Sequence, residues 1–142
     1  MLKKTIKYTD FDGNEREEDA YFNLSKAELM EMEFSERGGL ENYLQEMIKA
    51  ENTKKLFAFF KEIVLNSYGQ KSFDGKHFIK KRMQDGEVIR LRDEFEQTEG
   101  YTELMMELMT GGETAMAEFI TAIIPKDLAE QVKAEQAKQL TN

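Results

Sequence analysis

Three acidic or amide side chains near the N-terminus have the spacing of metal ligands. Asp10, Asp12 and Asn14 match the first three oxygen-ligand positions of a calcium-binding loop. The match then fails, because the sixth position lacks the required glycine and Tyr21 stands where a bidentate glutamate is needed. The same stretch contains an Asp-Gly pair, which favours a tight hairpin turn, so we interpret it as a turn and predict no metal site.

A second stretch, Gly69 to His77, partly matches a phosphate-binding loop. Five residues separate Gly69 from Gly75-Lys76 where four are required, and His77 replaces the Ser or Thr that would hold magnesium. Catalytic signatures fail as well, because the chain has no cysteine, a single histidine and no serine in a G-x-S-x-G elbow. With 28 acidic residues, any chosen carboxylate pair is unspecific. We therefore predict no catalytic residue, cofactor or metal, and a protein that is not an enzyme.

Basic residues gather from Lys71 to Arg82, with Phe73 and Phe78 between them. Such a run can bind nucleic acid through phosphate contacts and stacking, dock on an acidic protein face, or simply be solvated. The formal net charge of −8 disfavours phosphate backbones and anionic lipid, so we rank a solvated loop first, protein docking second and nucleic acid third. We expect neither nucleic acid nor membrane as a partner. Without a signal pattern, the protein is expected to stay in the cytoplasm where it is made.

The N-terminal residues predict a β-hairpin. Ile6 and Tyr8, and later Ala20, Phe22 and Leu24, alternate with polar residues at the period of a half-buried strand. The Asp-Gly turn lies between the two runs, which places the hairpin at residues 3–24. The charged stretch before Ala20 fits a solvated edge that discourages further strand pairing.

Three helices are predicted next. Ser25 and Glu28 have the pattern of a capping box, so a helix begins at Ser25 and is expected to reach about Phe34, before a break at Gly38-Gly39. The helix from Asn52 to Gly69 has three phenylalanines in four positions, so it needs neighbours on at least two sides, and Gly69 is predicted to end it in the left-handed conformation. Between them, one buried helical face is formed by Leu40, Tyr43, Leu44, Met47 and Ile48.

The second half of the chain alternates turn formers with helical patterns. Gln70 to His77 is predicted as a loop that could hold a short hairpin about Asp74-Gly75. Asp85-Gly86 marks a turn, after which a helix is predicted from Glu87 or Val88 to Gln97. A helical pair follows from Thr98 to Ile124, interrupted by a Gly-Gly pair and closed by the following proline.

Together these patterns predict an α+β fold that is mainly α. The β-hairpin (3–24) is followed by a bundle of about five to six helices (25–125), which makes one globular domain over residues 1–125. Residues 126–142 are predominantly polar. They are predicted to form a C-terminal tail whose helix frays.

Nine methionines are many for 142 residues. The flexible thioether side chain suits an irregular core and also an adaptable binding surface. We take Met105, Met106, Met109 and Met116 as candidate residues of a partner-binding groove. Core packing is the leading alternative, since Met105 and Met109 lie on a buried helical stripe and only Met106 lies clearly off it.

A set of short phrases from Tyr8 to Lys126 carries a family resemblance. They are YTDFDGN (8–14), YFNLSKAEL (21–29), YGQKS (68–72), DGK (74–76) with Phe78, Phe95 with QTE (97–99) and Tyr101, FI (119–120) and IPK (124–126). In this order they resemble the tail assembly chaperones of long, non-contractile-tailed bacteriophages, particularly those of low-GC Gram-positive hosts. The chain departs from that pattern in a longer stretch from Lys81 to Arg92 and in Gly100, where alanine is expected.

The resemblance implies a non-virion helper in the host cytoplasm. Such a chaperone binds the tape measure protein, keeps its apolar helices in solution and recruits the major tail protein as the tube polymerises. The resemblance also implies that this chain is the short product of a gene whose frameshift yields a longer one, and it supplies no catalytic residue. Two alternatives stay open: a structural virion component such as a head–tail connector, and a small host-takeover module that binds a host protein.

Overall fold

The computed structural model describes residues 1–32, 39–49, 51 and 53–130. Within these residues the chain forms six strands and six helices, so the fold is mixed α/β. Residues 126–130 are helical as well. In chain order the elements are β1 (Leu2–Thr9), β2 (Glu15–Phe22), α1 (Lys26–Glu31), α2 (Gly39–Lys49), α3 (Thr53–Ser67), β3 (Tyr68–Lys71), β4 (Phe78–Ile79), β5 (Lys81–Gln84), β6 (Glu87–Arg90), α4 (Leu91–Glu96), α5 (Glu99–Thr110) and α6 (Gly112–Ile123).

The larger of two sheets has four antiparallel strands in the order β1-β2-β3-β4. β1 and β2 pair from Leu2 opposite Phe22 to Thr9 opposite Glu15, which confirms the predicted N-terminal hairpin. β5 and β6 form a separate two-stranded sheet. The prediction of a mainly α bundle is therefore confirmed only in part, because the described helices pack on a sheet and α3 runs directly into a strand.

One face of the larger sheet carries the core. In β1, Ile6 is buried and Leu2 and Tyr8 pack on the core, while Lys3 and Lys7 on the other face are exposed. This alternation is the strand period that the sequence predicted. The charged residues 15–19 of β2 form no pairing with a strand beyond β1 in the described chain, so they remain the predicted free edge.

Phe22 is the point where the sheet and the helices meet. Its side chain is fully buried. Its ring centroid lies 5.3 Å from that of Phe119, 5.8 Å from that of Tyr68 and 6.0 Å from that of Phe95. Edge-on and tilted aromatic pairs of this kind add about 0.5–1.5 kcal/mol each beyond area burial. One side chain thus joins β2 to β3, α4 and α6.

The helix α3 has neighbours on two sides, as its phenylalanines predicted. The Phe59 ring lies 4.6 Å from the Tyr43 ring of α2. Adjacent in sequence but on another side, the Phe60 ring lies 5.9 Å from the Phe119 ring of α6. Phe60 is fully buried, so α3 contributes the centre of the core.

The prediction that Gly69 ends α3 in the left-handed conformation is wrong. α3 ends at Ser67, Gly69 lies within β3, and it is not among the residues with positive φ. Glycine is needed there for a different reason, which is close approach of the neighbouring strand. A Cβ on Gly69 would lie 2.6 Å from the carbonyl oxygen of Ile79 and still closer to the Phe78 ring.

The predicted helix from Glu87 or Val88 to Gln97 is also wrong in its first half. Residues Glu87–Arg90 form β6, and the helix α4 covers only Leu91–Glu96. Asp85 (φ 52°) and Gly86 (φ 79°) are both left-handed, so the turn reverses the chain with the twist that favours strand pairing. The hairpin suggested about Asp74-Gly75 does form, with Lys71 opposite Phe78.

The predicted helix starts are confirmed where the structure describes them. The Ser25 hydroxyl accepts from the Glu28 amide at 3.1 Å, and the Glu28 carboxylate accepts from the Ser25 amide at 3.0 Å. Thr98 caps α5 with its hydroxyl oxygen, which accepts from the Tyr101 amide at 3.2 Å. α6 follows α5 after Gly111, as the helical pair predicted.

Several predictions fall outside the described residues. The expected end of the first helix near Phe34, the break at Gly38 and residues 131–142 of the tail belong to this group. So do the side chains of Leu40, Leu44, Met47 and Ile48, although α2 forms over them. Leu128 packs against the core from the start of the predicted tail. The domain boundary at residue 125 stays a prediction.

Replacing Gly69 with alanine should destabilise the protein by about 1–3 kcal/mol, because the new methyl group meets a strand backbone that cannot rotate away. Urea unfolding followed by circular dichroism measures the change. Gly100→Ala is the matched control, since there a Cβ meets side-chain atoms and no strand backbone, namely the Tyr8 ring at 3.3 Å and Thr98 Oγ1 at 3.5 Å. An equal loss in the two variants would contradict the close-approach explanation.

Candidate partner-binding surface

Asp10, the first residue of the calcium-like spacing, is engaged within its own turn. Its Oδ1 accepts from the amides of Asp12 at 3.0 Å and Asn14 at 2.9 Å, and its Oδ2 accepts from Arg16 Nε at 2.8 Å. The hydrogen bond from Arg16, followed by that from Asn14, holds the pKa of the Asp10 carboxyl below its usual value. The residues that suggested a metal loop therefore build a hairpin turn.

The phosphate-loop spacing likewise belongs to a turn. The Ser72 hydroxyl donates to Asp74 at 2.7 Å and accepts from the His77 amide at 3.0 Å. Strand β4 follows, whereas a phosphate loop leads into a helix. Among the residues that the structure describes, no three His, Asp or Glu side chains are grouped to hold a metal ion. None of the described helices is long and apolar enough to cross a membrane.

The four methionines proposed as a groove lie in different environments. Met105 and Met116 are buried core residues, at 4% and 3% exposure. Met109 is half-buried against that core, and Met106 is 62% exposed. Of the four, Met106 alone presents most of its surface to solvent. The groove assignment stays a prediction, and in this structure it depends on Met106 with the exposed part of Met109.

A second exposed apolar surface lies on the hairpin of β5 and β6, residues 81–90, which we call the β-arm. One face of the β-arm is clamped to α4. Arg82 donates to both carboxylate oxygens of Glu94, at 3.1 Å and 2.8 Å, and Ile89 opposite Arg82 is half-buried. Such two-point pairing fixes orientation as well as distance.

The other face of the β-arm, which we call the free face, is exposed, while Arg90 at its base pairs with Asp93 of α4 at 3.0 Å. Met83 lies directly opposite Val88, and Lys81 lies opposite Arg90, so strand alternation places these four side chains on one face. Met83 is 66% exposed and Val88 is 59% exposed. The face thus has an apolar pair near the turn and a cationic pair at its base.

A cavity of about 290 Å³ adjoins the base of this face. Lys81 and Arg90 line it, so the cavity and the free face are continuous. The other lining residues are Glu28, Glu31, Met32, Leu65, Asn66, Tyr68, Lys80 and Arg92.

Lys80 fixes the position of the β-arm relative to the body. Its ammonium donates to the carbonyl oxygens of Asn23 at 2.8 Å and Asn66 at 2.7 Å, and to the Glu28 carboxylate. Burial lowers the pKa of Lys80 from its usual value, against the opposing effect of Glu28. Its own carbonyl accepts from the Leu91 amide at 2.9 Å, so both ends of the β-arm are tied at this residue.

The basic run therefore divides into paired and solvated residues. Lys80 and Arg82 form the ion pairs described above. Lys71, Lys76 and Lys81 are exposed and form no ion pair within the described part of the chain. The sequence reasoning missed the free face because it assigned Val88 to a helix. The usable signal was the Asp-Gly turn flanked at matching positions by Met83 and Val88.

Replacing Lys80 with methionine should lower the free energy of unfolding by about 2 kcal/mol, because two carbonyl oxygens and one carboxylate lose a charged donor. Chemical unfolding measures this loss. Lys81→Met is the matched control, because Lys81 is the next residue and its side chain is exposed. This substitution should change the free energy of unfolding by less than about 0.5 kcal/mol. Equal effects would mean that Lys80 does not act as the tie.

The ionised Asp10 carboxylate should stabilise the hairpin at neutral pH, and this stabilisation should be lost in acid. Its unfolded-state pKa is about 3.8 and its folded-state pKa is lower, so its stabilisation is present above pH 3.8 and is lost as the pH falls through the folded value. Asp10→Asn keeps the turn acceptor but removes the charge. The stability difference between wild type and this variant, measured by urea unfolding, should therefore shrink with acidification below that pH. A constant difference would exclude this charge effect.

The comparisons with known proteins agree with the sequence phrases. A family model described as phage tail assembly chaperone matches residues 1–142, the whole chain. A search of curated proteins and a search of solved structures each gave no match. The chain belongs to the phage tail assembly chaperone family.

Proposed function

We propose that this protein binds the tape measure protein of its phage and keeps the apolar helices of that client in solution until the tail tube forms around them. The proposal includes recruitment of the major tail protein to the growing tube. The family match over the whole chain is the observation that carries it. Both named partners come from the family resemblance described above.

The physical character of the surface supports a holding role. A protein that holds apolar helices must itself expose apolar side chains, and Met83, Val88 and Met106 do so in the described part of the chain. The formal net charge of −8 makes copies of this chain repel one another, which opposes their aggregation. Binding of this kind makes and breaks no covalent bond, so we propose a function without catalysis.

We also propose that the protein works in the host cytoplasm and is left out of the finished particle. In this proposal it acts beside a longer product made by frameshifting at the end of its gene. A slippery heptamer before the stop codon, with an overlapping reading frame and a tape measure gene downstream, is the expected gene arrangement.

Co-expression with the tape measure protein tests the central claim. The tape measure protein should remain in the supernatant and co-purify with this chain, whereas alone it should pellet, because its apolar helices then associate with one another. Met106→Glu should weaken co-purification if the α5 methionine surface contributes. That side chain is 62% exposed, so the variant should fold.

Mass spectrometry of purified phage particles supplies the opposing test. An assembly chaperone should be absent or far below one copy per tail. Stoichiometric recovery of this chain from particles would contradict the proposal and would favour a structural component such as a head–tail connector. A tape measure protein that pellets equally with and without this chain would also contradict it.

A further inference from the structure

We infer that the free face of the β-arm, together with the adjoining cavity, is a docking site for an acidic amphipathic helix. The inference rests on the proposed holding function and assigns it a surface and a client chemistry. The site is made by Met83 and Val88, by the Lys81 and Arg90 pair, and by the cavity that this pair borders.

The apolar part of this face is exposed, and it lies opposite the side of the hairpin that contacts α4. Arg82 and Ile89 occupy the side that contacts α4, so Met83 and Val88 are held on the outer side by the strand period. A directly opposed pair presents one continuous apolar area, unlike exposed side chains scattered singly over a surface. Met83 adds a flexible side chain that can adapt to the shape of a partner.

The charge of the residues around the site indicates the charge of its partner. The residues that line the cavity include four Lys or Arg and two Glu, a net charge of +2 in a chain whose formal charge is −8. Lys81 is exposed, and the Arg90 ion pair with Asp93 at 3.0 Å lies at the surface, where such pairs contribute little. Carboxylates of a partner can therefore bind both cations at little cost, and the acidic remainder of the protein repels the same partner elsewhere.

The cavity gives the site depth. Lys81 and Arg90 border it, and Met32, Leu65 and Tyr68 form part of its lining. With a volume of about 290 Å³, it has room for one large apolar side chain beside the cationic pair. An occupant that places an apolar residue there and carboxylates on the cations satisfies both halves of the site.

The dimensions favour a helix over an added strand. β5 and β6 have four residues each, so a strand added to either edge gains few backbone hydrogen bonds. Side chains two residues apart on one strand face, such as Lys81 and Met83, are spaced by about 7 Å. Helical residues four apart lie about 6 Å apart along one face, so an apolar residue over Met83 places an acidic residue one turn away near Lys81.

Overlapping 20-residue peptides that tile the tape measure protein are the probe, measured by fluorescence anisotropy against the full chain. Peptides with an apolar stripe flanked by acidic residues should bind, and basic peptides should not. Met83→Thr with Val88→Thr removes apolar area while keeping strand-forming residues, and it should weaken binding of the acidic peptides at least tenfold. Lys81→Glu should do the same, and its new carboxylate faces Arg90 across the hairpin, so the fold is kept.

Phe11→Thr is the matched control, because Phe11 is an exposed apolar side chain like Met83 but lies in the turn between β1 and β2, away from the residues that line the cavity. It should leave peptide affinity unchanged, and unfolding curves should be alike for all variants. Wild-type affinity in both β-arm variants, or equal binding of basic peptides, overturns the inference while the holding function stands. A wild-type chain that binds no peptide and keeps no tape measure protein in solution overturns both.

A second copy of this chain is the competing occupant of the same face. Sedimentation velocity of the protein alone distinguishes it. The inference expects the same sedimentation coefficient for wild type and for the Met83→Thr and Val88→Thr double variant. A wild-type oligomer that this double variant dissociates would show that the face is covered by another copy, and would overturn the inference.

Discussion

The Lys80 ammonium ties together parts of the chain that are distant in sequence, and the surface described above depends on it. It reaches the end of β2 through Asn23, the cap of α1 through Glu28 and the end of α3 through Asn66. An ammonium has three protons to donate, and here each finds one acceptor. Without this tie the short β5–β6 hairpin, which is marginal by itself, would have only the α4 clamp to hold it.

A half-buried lysine is a costly way to join three elements. Removing the charge from water costs free energy, which is why burial lowers the Lys80 pKa, and Glu28 offsets only part of that cost. The arrangement fixes the orientation of the Lys80 side chain, because its ammonium must reach three acceptors whose positions are fixed. The same glutamate caps α1, so the helix start and the β-arm are oriented together.

Local patterns were readable from the sequence where residues close in the chain decide the structure. The N-terminal strands, the Ser25 cap and the Thr98 cap follow from short-range hydrogen bonding and alternation. The role of Gly69 was not readable, because it depends on the approach of Ile79 across the sheet. The tie from Lys80 to Glu28 spans 52 residues, and no local pattern records such a contact. The β-arm was missed because its four-residue strands are too short to separate a strand period from a helical one.

The exposed lysines of β1 have a consequence for how far the larger sheet can extend. β1 pairs with β2 on one side and, among the described residues, with no strand on the other. If two molecules joined β1 to β1 antiparallel about Thr5, each Lys3 would face a Lys7, and facing like charges destabilise such a pair. Like charges thus oppose pairing of the open strand with the same strand of a second copy. In this phage tail assembly chaperone, the arrangement opposes self-association through the open edge of the sheet.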